Sequence, residues 1–135
     1  MVDTSAVVAL LVGNDPAHER AVAAVQSCDE TLVVPALTLV EIDYWLRKYR
    51  AVATWRSFAE DIAAGSYRLD VPRPEHLVRA AELESEYADL RLGVVDASIV
   101  VTCETLGETK LATLDRRHFS VVRPRHCDSL TLLPA

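Results

Sequence analysis

The chain has 135 residues, half of them hydrophobic and a quarter charged, with 14 basic and 20 acidic side chains for a formal net charge of −6. That length fits a single domain over 1–135, and that composition excludes disorder. Three cysteines (Cys28, Cys103, Cys127) without C-x-x-C spacing argue against a disulfide scaffold or a zinc knuckle; they point to a reducing, cytoplasmic setting.

In chain order, Met1–Asp3 reads as a strand stub, followed by a helix containing Ala6–Val12 with Thr4 and Ser5 as its caps. Asn14-Asp15-Pro16 opens a second helix running to Ser27. The β-branched runs TLVVP (31–35), YRLDV (67–71) and KLATL (110–114) read as strands, and Val121–Val122 with Leu130–Leu133 as late edge pairing. Helices are predicted over 36–49, 52–64 (closed by Gly65), 74–90 and 93–106 (ending at Gly107). Apolar runs are too short to span a bilayer and no basic leader precedes one, so neither a membrane nor a secretory role is expected. Strands alternating with helices predict an α/β fold, with a mainly parallel central sheet of about five strands flanked by helices. Ligands of such sheets sit beyond the carboxyl ends of the strands.

Four carboxylates stand out against that frame. Asp3 and Asp115 follow predicted strands. Glu41 has Leu37, Thr38, Tyr44 and Trp45 at helical spacing and no basic neighbour there, unlike Asp43, which has Arg47 four residues on. Asp96 sits in the apolar run VVDASIVV, where an unpaired charge is costly. Each has a plain alternative: a turn or cap for Asp3 and Asp115, a favourable first-turn position for Asp96. If the four converge, each pair about 5 Å apart repels by roughly 3 kcal/mol at an effective dielectric of 20, which a cation or protonation must relieve. An all-oxygen set suits Mg²⁺ or Mn²⁺, not zinc, and no H-x-x-x-H spacing occurs.

The ordered segments Asp3-Thr4-Ser5, Glu41 within 36–49, Leu92-Gly-Val-Val-Asp96-Ala-Ser and Ala112-Thr-Leu-Asp115-Arg-Arg-His-Phe119 resemble PIN domains, and more narrowly the VapC-type toxins of bacterial toxin–antitoxin pairs. The resemblance covers essentially the whole chain. It implies a metal-dependent endoribonuclease leaving 5′-phosphate and 3′-hydroxyl ends, with Asp3, Glu41, Asp96 and Asp115 as the acidic cluster. Thr113 and Ser5 would orient that cluster. It also implies a small antitoxin partner.

No G-x-S-x-G or Cys–His arrangement suggests a covalent nucleophile, so a metal-activated water is the expected attacking group. Residues 116–126 hold four arginines and no acid, which offers Arg116, Arg117, Arg123 and Arg125 as RNA-backbone contacts. Tyr44, Trp45, Tyr49 and Trp55 are too many large aromatics for one small core, so they suggest a groove for a partner helix or a homodimer face. Two other readings compete. A catalytically inactive scaffold of the same fold could bind RNA or protein, but the intact acidic set favours the enzyme. A haloacid-dehalogenase-like phosphotransferase needs D-x-D, and position 5 is Ser5.

Overall fold

The computed structural model describes residues 1–134. Among them, helices α1 (Thr4–Leu11), α2 (His18–Gln26), α3 (Thr38–Lys48), α4 (Val52–Ala63), α5 (Pro74–Glu86), α6 (Val94–Leu106) and α7 (Arg116–Phe119) alternate with strands β1 (Val33–Pro35), β2 (Arg68–Asp70), β3 (Lys110–Ala112) and β4 (Thr131–Leu133). β1 pairs with β2 and β3 with β4, both in parallel. The two halves are joined by the chain's first residues. Val2 forms a parallel bridge with Ala112, and its amide donates to Val33 O at 3.0 Å. The N-terminal stub is therefore the central member of the sheet, between β1 and β3.

Side chains alternate across that sheet, as extended backbone requires. Met1, Val33 and Leu111 face a core built with α5 and α6, including Leu83, Ile99, Val100 and Phe119. Val2, Val34 and Ala112 face the opposite core, built with α1, α3 and α4 around Val7, Ile42, Leu46 and Phe58. Burying both faces of so short a strand explains why its residues are uniformly apolar. The layers are helix, sheet, helix, as the sequence predicts.

Three local expectations need correction. Val121–Val122 is a turn, not an edge strand: both amides return to His118 O, and the Val122 side chain plugs the first core at 1% exposure. Thr4 and Ser5 do not cap α1 but occupy its first turn; the cap is Asp3, the alternative open for that residue, whose carboxylate accepts from Ala6 N. The helix predicted over 74–90 ends at Glu86 and is followed by a separate 3-10 turn, Ala88–Leu90.

Gly107 ends α6 in the left-handed region at φ 71°, where the absence of a Cβ removes the steric cost. Arg91 occupies the same region at φ 52° without that freedom, at the turn that delivers the chain into α6 and its Asp96. Arg91→Gly is expected to raise stability by about 0.5–1 kcal/mol, measured by urea unfolding. An unchanged or lower midpoint would show that the Arg91 side chain offsets its backbone strain.

Candidate active site

The carboxyl ends of the Val2 stub and of β3 lie side by side because the two segments run parallel, so the residues after them meet. Asp3, still extended at φ −100° and ψ 177°, donates its amide to Ala112 O at 3.1 Å. The Thr113 hydroxyl donates to Asp3 Oδ2 at 2.5 Å. Ser5 Oγ donates to Asp3 Oδ1 at 2.8 Å and accepts from Leu114 N at 2.9 Å, tying α1 to the segment after β3. Ala6 N completes the cradle at 2.9 Å. Asp3 is 4% exposed and Thr113 is fully buried.

Burial pushes the Asp3 carboxyl up to about 6, against the opposing pull of Thr113, Ala6 and Ser5 and with a further upward push from the Asp96 charge. Desolvation thus outweighs three hydrogen bonds.

The other carboxylates reach the same place from different elements. The first turn of α6 presents Asp96, half-buried, whose Oδ2 accepts from His118 Nδ1 at 2.5 Å; a carboxylate only accepts, so that nitrogen bears the proton. Glu41, in the first turn of α3, accepts from Thr4 Oγ1 at 2.6 Å. Asp115 caps α7 by accepting from Arg117 N, and its Oδ2 lies 3.3 Å from Arg117 Nη2. All four line one cleft of about 380 Å³, together with Ser5, Asp15, Trp45, Tyr49, Arg117 and His118. Five acids there face one arginine and one histidine.

The donor set fits a hard divalent cation: it is all oxygen, and the five acids of the cleft outnumber its one arginine and one histidine. Among the described residues, no three His, Cys, Asp or Glu side chains yet close on a single point. Each carboxylate is turned instead to a local donor, so joint coordination requires side-chain rotation.

Several sequence expectations are relocated. Glu41 shares its helix face with Tyr44 and Trp45, but that face is exposed and borders the cleft. Of the four arginines proposed for RNA, only Arg117 lines the cleft. Arg116 Nη2 donates to the carbonyls of Leu132 and Pro134, and Arg123 Nη1 to that of Ser120. Arg125 pairs with Glu82, and its amide donates to Glu104. Those three are occupied in fastening loops, a role the local run of basic residues does not reveal. His118, Asp15 and Thr4 were not anticipated as site residues. The one available signal was the histidine three residues after Asp115.

Known proteins resemble the chain throughout. The PIN-domain family model matches residues 1–123. Ribonuclease VapC26 of Mycobacterium tuberculosis (strain ATCC 25618 / H37Rv) is 30% identical over 134 residues, covering 99% of each chain. The crystal structure of Mycobacterium tuberculosis VapC20, a sarcin-ricin loop cleaving toxin, superposes with a TM-score of 0.82 at 18% identity, over 93% of this chain and 96% of that one. A toxin–antitoxin complex from Klebsiella pneumoniae gives 0.67 at 20% identity, over 90% of each.

The buried carboxyl has a signed consequence for stability. Between its ordinary value of 3.8 and about 6 the folded chain binds more protons at Asp3 than the unfolded chain does, so Asp3 costs stability as pH rises through that window and costs a constant amount above it. Asp3→Asn keeps an acceptor for Ala6 N and removes the charge. In divalent-free buffer the variant should gain on wild type by roughly 1–3 kcal/mol between pH 4 and pH 7, read from paired thermal melts. A gap independent of pH would show that Asp3 is not held up by burial.

Proposed function

The chain belongs to the PIN-domain family, and from that premise we propose that it is a divalent-metal-dependent endoribonuclease, the toxin of a toxin–antitoxin pair. The observation that carries this reading is the arrival of Asp3, Glu41, Asp96 and Asp115 from four separate segments on one cleft. The likeness to Ribonuclease VapC26 over nearly the whole of both chains supports RNA as the substrate. The toxin–antitoxin complex among the structural neighbours supports a proteinaceous antitoxin as partner.

Those four carboxylates would hold Mg²⁺ or Mn²⁺. When bound, the cation supplies a water of lowered pKa and stabilises charge on the phosphate. The chain's own groups do the positioning. Thr113, Ser5 and the Ala6 amide fix Asp3, Thr4 fixes Glu41, and His118 fixes Asp96. Arg117, on the cleft wall, supplies a cation for a substrate phosphate.

The same reading places the protein in the cytoplasm, with its RNA and its antitoxin; among the described residues no helix is long and apolar enough to cross a membrane. It also includes a homodimer. The exposed Val40 and Tyr44 on α3 offer apolar surface for self-association, which sedimentation would test.

Purified protein should cut cellular RNA into discrete products with Mg²⁺ or Mn²⁺ and not with EDTA. Asp96→Asn should lower the rate by at least about a hundredfold while leaving the fold intact by circular dichroism. Equal cutting by the two proteins, or cutting that survives EDTA, would overturn the reading. No cutting by either, with RNA binding retained, would favour the scaffold.

A further inference from the structure

Helix α3 runs along the cleft, and beyond Glu41 its cleft face carries side chains to which the catalytic chemistry assigns no role. Positions 41, 45 and 49 are spaced i, i+4, i+8, so Trp45 and Tyr49 continue the face that begins with Glu41. Both rings line the cleft with the carboxylates. Trp45 is 38% and Tyr49 45% exposed, whereas the second tryptophan, Trp55, packs on Phe58 at 6.2 Å against the core.

The two exposed rings are braced. Their centroids are 6.3 Å apart with a 35° tilt, Tyr44 meets Trp45 edge-on at 5.5 Å, and Lys48 Nζ stands 4.9 Å over the indole. Arg50, one residue past the Tyr49 cap of α3, lies in the left-handed region at φ 55°.

We propose that Trp45 and Tyr49 form a stacking subsite for one unpaired nucleobase of the substrate, set beside the carboxylates that act on its backbone. The inference rests on the ribonuclease reading and specifies what that site selects. Aromatic faces stack on any base, and pre-braced rings lose little freedom in doing so. The volume, about 380 Å³, lies in the range of small-ligand sites of roughly 300–1,000 Å³. It suits a nucleotide better than a partner helix, whose diameter with side chains is about 10–12 Å. Arg117 on the same cleft gives the attached phosphate a cation. A base in a duplex cannot reach such a wall without unstacking, so the subsite makes the enzyme choose single-stranded segments.

Two measurements test this. In steady-state cleavage of a single-stranded oligoribonucleotide with Mg²⁺, Trp45→Ala should lower kcat/KM roughly tenfold, chiefly through KM, and Trp45→Phe should recover most of the loss. In a Trp55→Phe background, where Trp45 is the only tryptophan, the oligoribonucleotide should quench fluorescence, and the same oligomer with abasic sites should not. Unchanged kcat/KM for Trp45→Ala, in an assay where wild type cuts, would overturn the subsite; so would equal quenching by the abasic oligomer. If Trp45→Ala cuts normally but no longer binds a protein antitoxin, the aromatic wall belongs to that partner. Failure of the parent reading looks different: wild type itself would not cut.

Discussion

A carboxylate held almost entirely out of water at the centre of the sheet is the constraint around which the rest of this structure is arranged. Asp3 is there because the two residues before it are the middle of the sheet: Val2 must bridge to Ala112 and bond to Val33, which leaves the next residue at the strand's carboxyl edge beneath α1. The burial that holds the sheet together is the same burial that drives the Asp3 carboxyl up to about 6. Ionising it is unfavourable, and three hydrogen bonds only partly offset the lost hydration. A chain selected for stability alone would place Asn or Ser at this cap. Retaining Asp stores a strong acceptor where a cation would benefit from it most.

From that point the acids are graded outward. Asp96 keeps 31% of its side chain exposed and Asp115 48%, and Glu41 stands on an exposed helix face. The deep end is dry, where each charge interaction is strongest, and the mouth is wet, where substrate and product exchange. The α3 side carries aromatic rings beside Glu41, with Lys48 Nζ over the Trp45 indole. The net charge describes the whole surface, and at the cleft Arg117 offers a cation to a polyanion while a bound divalent cation would offset the acids.

The sequence was informative wherever the signal was local and uninformative where pairing crosses long distances. Asp3, Glu41, Asp96 and Asp115 were legible because a carboxylate in an apolar helix or just past a strand violates the local pattern, and such violations concentrate at functional sites. The alternation of strands and helices gave the layers. The sequence hinted at His118 only through its place three residues after Asp115; its contact was not legible, because its partner lies 22 residues away. Residues 121–122 look like a strand for the same β-branched reason that Val33–Val34 do. Only the tertiary position of Val122, plugged into the core after a tight turn, distinguishes them. The arginines misled because four in eleven residues suggest one surface. The start of α7 instead turns Arg116 toward the β4 backbone, and the loop after α7 turns Arg125 toward the α5 and α6 acids.

The choice of partners around the acids follows a chemical logic of its own. Hydroxyls and one backbone amide hold Asp3 and Glu41, and among the described residues no lysine or arginine is paired with Asp3, Glu41 or Asp96. Elsewhere this chain neutralises its acids freely, as at Arg79–Glu104, Arg47–Asp43 and Lys110–Glu30. A neutral donor fixes where a carboxylate points without cancelling its charge, whereas a guanidinium does both. Serine and threonine at positions 4, 5 and 113 therefore keep the inner cleft oriented and negative together. A guanidinium within reach of these acids would instead cancel the charge that a divalent cation needs. Among the described residues, the only guanidinium that touches one of the four acids is that of Arg117, on Asp115 at the outer edge, where a cation also serves an arriving phosphate.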